Sequence, residues 1–130
     1  MKLFDLHCDT LVTLGEKKAD FFCSETQFSL CELEKFRCFC QTMAIFIPDQ
    51  VRGEEAFAYF LKYKEYLDQL LQRQAEVVEK INCGADIRRI TGQGKCAVIL
   101  AVESGAALGG RIERIDDLAE SGVKIMTLVW

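Results

Sequence analysis

Cys96 to Val102 is an unbroken apolar run, Cys-Ala-Val-Ile-Leu-Ala-Val, that stops at an ionisable residue, Glu103. A run this short cannot span a bilayer, which takes about 20 apolar residues. It also lacks the alternation of a strand with one wet face. It reads as a strand buried on both faces, and such strands belong to parallel sheets covered by helices. The flanking segments must therefore supply helices and further strands.

They do so in a consistent order. Leu3 to Asp9 alternates, with Asp5, His7 and Asp9 on one side and Phe4, Leu6 and Cys8 on the other, which predicts a strand with a polar odd-numbered face. Phe39 to Ile47 predicts a second strand, uninterrupted from Met43 to Ile47 and ended by Pro48 and Asp49. Between them, Gly15 to Thr26 reads as polar and irregular.

Glu54 to Ile81 changes to three-and-four spacing through Phe57, Phe60, Leu61, Leu67, Leu71, Val78 and Ile81, which predicts one long amphipathic helix or two in tandem, ended near Gly84. Ala85 to Ile90 reads as a short helical turn, and Gly92 to Lys95 as a loop. Arg111 to Ser121 predicts a helix capped by Gly122, and Val123 to Val129 a last strand. Strands alternating with helices give an α/β fold with a parallel sheet. A (β/α)8 barrel of the TIM type fits best. Such a barrel takes about 250 residues, so the 130 residues here, with four predicted strands, make about its first half. No repeat or linker divides residues 1–130, which read as the N-terminal part of a single barrel domain.

A net charge of −4 provides no basic field for nucleic acid or an anionic membrane surface. Asp5, His7 and Asp9 interrupt the apolar stretch that a signal peptide would need near its start, so a cytoplasmic location is expected. The seven cysteines are odd in number and include no Cys-x-x-Cys pair. They read as small buried side chains in a reducing compartment rather than a disulfide framework.

Residues two apart on a strand leave the same face about 6 to 7 Å apart, a span that one metal ion can bridge. His7 offers an imidazole and Asp9 a carboxylate, both suited to zinc or a similar divalent ion, although an ordinary hydrogen-bonded pair would look the same. Both fall at the C-terminal end of the first strand, where (β/α) barrels build their sites. Glu103 ends the apolar strand on that same rim, and a carboxylate so placed needs a partner. It is either a third ligand or a solvated strand end that caps the turn at Ser104 and Gly105. Gly105, Gly109 and Gly110 match no phosphate-binding fingerprint and read as a sharp turn beside the site. His7 is the only histidine, so this ligand set is incomplete for two metals.

Phe4-Asp5-Leu6-His7-Cys8-Asp9-Thr10-Leu11 resembles the opening motif of the membrane (renal) dipeptidase family of zinc peptidases. Gly94 to Gly105 is similar to that family's strand ending in a metal-bridging glutamate, and Gly122 to Trp130 to the strand that follows. The resemblance implies a (β/α) barrel holding two zinc ions. It also implies hydrolysis of dipeptides by a metal-bridged water, with tolerance of a D-residue at the C-terminal position. His7 and Asp9 would ligate the first zinc, and Glu103 would bridge both.

The family's two further zinc-binding histidines, substrate-binding arginine and acid-base aspartate fall on later strands, beyond residue 130, so no catalytic residue is assignable here. The isolated chain is then expected to be inactive and to self-associate through open barrel edges. Two alternatives stand beside this reading. One is another metal-dependent barrel amidohydrolase, which would usually open with His-x-His where this chain has Asp9. The other is a non-catalytic half-barrel that pairs with a second copy.

Overall fold

The computed structural model describes residues 1–129. Five strands form one parallel sheet: β1 (Lys2–Asp5), β2 (Cys38–Phe46), β3 (Val78–Lys80), β4 (Cys96–Glu103) and β5 (Val123–Thr127). The helices are α1 (Thr10–Lys17), α2 (Gly53–Arg73), α3 (Gly84–Gly92) and α4 (Arg114–Glu120), with 3-10 turns at Leu30–Lys35 and Gly105–Leu108. The sheet runs β1-β2-β4, and both β3 and β5 pair with β4. Since β2 takes one edge of β4, the other two strands lie end to end along its far edge, β3 beside Cys96 to Val98 and β5 beside Leu100 to Glu103.

The register sorts the side chains into two faces. Phe39, Met43 and Ile45 of β2, with Cys96, Val98, Leu100 and Val102 of β4, pack under Leu11 and Leu14 of α1 and Phe60, Tyr63 and Leu67 of α2. This is the helix-covered outer face. On the opposite face Cys40 lies beside Ala97 and Thr42 beside Ile99, with Ile90 of α3 packed against Cys40, Ala97 and Ile99. Phe46 and Glu103 end the same row of the inner face, at the C-terminal rim. Arg114 joins the helical layer together: its guanidinium lies 4.0 Å over the Phe57 ring, pairs with Glu54 and donates to the Leu108 carbonyl.

Four expectations need correction. The first strand ends at Asp5, four residues early, because its regular pairing with β2 breaks after Asp5 and Gln41. The stretch from Gly15, read as irregular, opens with the last three residues of α1, which starts at Thr10. This helix is only eight residues long and contains β-branched Val12 and Thr13 and flexible Gly15, so its intrinsic helix propensity is low; docking of Leu11 and Leu14 into the core holds it.

The long helix stops at Arg73, and Val78 to Lys80 is a strand although its apolar spacing continues the helical stripe. The edge of β4 supplies the backbone partners: the Cys96 amide donates to the Val77 carbonyl at 2.9 Å and the Ile81 amide to Val98 at 2.9 Å. Lastly, not all the cysteines are interior. Cys8, Cys40 and Cys96 are buried, whereas Cys31 and Cys83 are exposed, and all seven are free. Burial pushes the Cys40 thiol up to about 11.

Candidate metal centre

The site begins with a break in strand pairing. Asp5 faces Gln41 in regular register. In an uninterrupted strand Met43 would then face His7. Instead Cys8 makes both bonds of a residue opposite Met43: its amide donates to the Thr42 carbonyl at 3.1 Å, and its carbonyl accepts from the Ala44 amide at 2.9 Å. Leu6 and His7 together therefore span the step that Thr42 makes alone. This is a one-residue bulge, a device uncommon in parallel pairs and frequent beside active sites.

Its consequence follows from the two-residue period of a strand, since a shift of one residue sends every later side chain to the other face. Asp5 stays on the outer side, in a pocket with Leu3, Phe39 and Gln41. Cys8 drops into the helix-covered core. His7 and Asp9, flanking Cys8, turn to the inner face, where Glu103 ends β4. Simple alternation puts Asp5, His7 and Asp9 together, but the chain parts Asp5 from the other two.

The three predicted residues meet. His7 Nε2 lies 3.2 Å from Asp9 Oδ1 and 3.0 Å from Glu103 Oε2. One ligand atom from each of the three falls within 4.8 Å of the other two. Glu103 is the enclosed member, its side chain 12% exposed, while His7 and Asp9 are about half exposed. The imidazole and the Asp9 carboxylate are thus reachable from solvent, beside a Glu103 carboxylate that is largely enclosed.

The donor set fits a divalent cation. Two carboxylates and one imidazole are the nitrogen and oxygen ligands that zinc accepts. Donors about 2.0 to 2.1 Å from a tetrahedral ion sit about 3.3 Å apart, close to the 3.0 and 3.2 Å separations seen here.

Glu103 is held from both sides. Its carbonyl accepts the Ile47 amide at 3.0 Å, and the next amide, of Ser104, donates to Thr127 at 3.1 Å. Ser104 has φ +97°, a conformation that L-residues avoid, and its Oγ accepts the Ala106 amide. Backbone strain of this kind collects at functional sites, because the surrounding structure must hold it there. The glycines of the following segment form a tight 3-10 turn rather than a phosphate cradle.

Two residues beside the site carried no signal in ligand spacing. Asp5 Oδ1 accepts the His7 amide at 3.2 Å, and Gln27 Oε1 accepts the Asp9 amide at 3.0 Å. Gln27 is 18 residues from its partner, so only the fold could bring the two together.

The sequence model of a family described as membrane dipeptidase, peptidase family M19, matches residues 1–130. No curated protein matches the chain. Among solved structures, a metallopeptidase described as dipeptidase AC of family M19 superposes with a TM-score of 0.85 at 18% identity, over 100% of this chain and 43% of its own. A metallopeptidase from Rhodobacter sphaeroides, bound to a phosphinate mimic of L-Ala-D-Ala, gives 0.85 at 17% identity, over 100% of this chain and 46% of its own. An amidohydrolase from Pseudomonas aeruginosa gives 0.64 at 16% identity, over 76% of this chain and 28% of its own. At such identities the likeness establishes the fold, a partial (β/α) barrel, and the chain spans less than half the length of each of these structures.

Proposed function

The chain belongs to the membrane dipeptidase family, peptidase family M19, and from that premise we propose that it contributes His7, Asp9 and Glu103 as metal ligands to a zinc-dependent dipeptidase. The observation that carries this reading is the convergence of one ligand atom from each, within 4.8 Å, on the C-terminal rim of the sheet. His7 and Asp9 would hold one zinc ion, and Glu103 would extend to a second. When bound, zinc supplies a Lewis acid for a peptide carbonyl and brings the pKa of water to about 7.

The chain's own residues do the holding. Glu103 stands on a strand paired on both sides and brings its charge in at a fixed place. Asp9, the residue before α1, brings a second charge, so the two carboxylates match a dication while the imidazole adds none. His7 Nε2 faces both carboxylates in the structure, which orients its ring before any ion arrives.

Dipeptides, including those with a C-terminal D-residue, are the proposed substrates, a choice supported by the L-Ala-D-Ala mimic in the Rhodobacter sphaeroides structure. Asp9 in place of a second histidine weighs against an amidohydrolase assignment. Among the described residues no helix is long and apolar enough to cross a membrane. The cytoplasm is the proposed compartment, supported by seven thiols that all remain free.

The test is hydrolysis of L-Ala-D-Ala and L-Ala-L-Ala by a purified protein that carries these 130 residues together with the later strands of the barrel, before and after chelation and on return of zinc. Turnover should stop with chelator and recover with zinc. In Glu103→Gln it should fall by more than the roughly 10- to 100-fold that outer-shell partners of a metal are worth. Turnover indifferent to chelator, or no turnover of either dipeptide with zinc present, would overturn the reading.

A further inference from the structure

The ligands His7 and Asp9 owe their direction to the bulge, and the bulge leaves two amides without strand partners in the ordinary ladder. Cys8 recovers both of its bonds to β2, but the His7 and Asp9 amides on either side of it are met by side chains instead. The acceptors come from opposite ends of the local chain. Asp5 Oδ1, two residues back and on the outer side of β1, takes the His7 amide at 3.2 Å. Gln27 Oε1, from the segment after α1, takes the Asp9 amide at 3.0 Å. Asp5 and Gln27 line the same outer pocket, with Phe28 and Phe39. That segment is itself pinned, since the Phe28 amide donates to the buried Thr10 hydroxyl at 3.1 Å.

We infer that Asp5 and Gln27 are positioning residues for the metal centre: each takes a backbone amide of a ligand residue, and together they hold the bulge that turns His7 and Asp9 toward Glu103. The inference rests on the proposal that these three residues bind the metal. Among the described residues, Asp5 and Gln27 meet the backbone amides of His7 and Asp9, and both line the outer pocket on the other face of the strand from Glu103. Without the clamp, the cheapest rearrangement is loss of the bulge, which would aim His7 into the helix-covered core and take it out of the site. The role demands an acceptor at position 5 and not a charge, so asparagine should serve where alanine should not.

The test is competition for zinc against a chromophoric chelator, made on the purified protein and on His7→Ala, Asp5→Ala, Asp5→Asn and Gln27→Ala. Amide hydrogen exchange at residues 7, 9 and 44 is followed in the same proteins without metal. Asp5→Ala and Gln27→Ala should each weaken zinc binding by about 10- to 100-fold. Asp5→Asn, which keeps the acceptor, should bind zinc as the parent does, without the loss of about 10-fold or more expected of the alanine variant. Exchange should quicken at His7 in Asp5→Ala and at Asp9 in Gln27→Ala, while Ala44 remains protected as long as the sheet is intact.

If zinc binding ignores His7→Ala, the metal assignment itself fails. If His7→Ala destroys binding but Asp5→Ala and Gln27→Ala bind like the parent, the metal assignment stands and the clamp is wrong. Should Asp5→Ala not fold, Asp5→Asn and Gln27→Ala still decide: weakening by Asp5→Asn equal to the loss in His7→Ala, or unchanged exchange at Asp9 in Gln27→Ala, would overturn the inference.

Discussion

At the scale of single residues, the three residues that meet at the rim were legible and the side chains that take their backbone amides were not. His7, Asp9 and Glu103 could be picked out because ionisable side chains stood at the ends of apolar or alternating runs. Asp5 looked like a third member of the polar face that holds His7 and Asp9, and only the register against β2 shows it on the other side. The bulge is hidden in this sequence because Asp5, His7 and Asp9 keep a two-residue spacing across it, although Asp5 lies on the opposite face from the other two. The turn after Glu103 is built to similar tolerance. A Cβ on Gly105 would lie 2.8 Å from the Leu128 carbonyl oxygen, the same oxygen that accepts the Gly105 amide. Gly105→Ala should therefore cost about 1 to 3 kcal/mol and appear as a lower melting temperature; an unchanged melting curve would show that this approach is not needed.

At the scale of elements, what the sequence showed depended on how much of each element's stability is local. β4 was legible because seven apolar residues in a row admit few other fates. α1 and β3 were not, being short pieces held in place by Leu11 and Leu14 in the core and by the free edge of β4. α3 depends on its first turn, where the Asp86 carboxylate accepts the amides of Asn82 at 2.8 Å and Cys83 at 2.9 Å and pairs with Arg89. The Cys83 amide, then that of Asn82 and the Arg89 guanidinium hold its carboxyl down at about 2. A depressed carboxylate adds stability that is complete above its unfolded value near 3.9 and fades as the pH falls toward about 2. Thermal melts between pH 5 and pH 2 should accordingly converge for the parent and Asp86→Asn, with the parent the more stable at the upper end. Curves that run parallel through this window would remove Asp86 from the account of α3.

At the scale of the whole molecule, the sheet is open. Among the described residues, β1 pairs only with β2 and β5 only with β4. Phe4, Leu6, Ile125 and Leu128 are between 43% and 71% exposed beside these edges, and such edges invite further pairing, which keeps self-association among the proposed properties of the chain. The α/β class and its barrel character were legible from the order of strands and helices, whereas the alignment of β3 and β5 along a single edge was not, since three residues of β3 carry no pattern of their own. Trp130, the last residue of the segment that resembles the family's next strand, lies outside the described residues. What the open sheet does fix is the meeting of the segment after β1 with the end of β4 at one rim, the place proposed to bind a metal. Crystals grown with zinc, measured on either side of the zinc absorption edge, test it directly. The account predicts an anomalous peak about 2.0 to 2.2 Å from His7 Nε2 and from carboxylate oxygens of Asp9 and Glu103. A peak bound elsewhere, or none at this rim with zinc in excess, would contradict it.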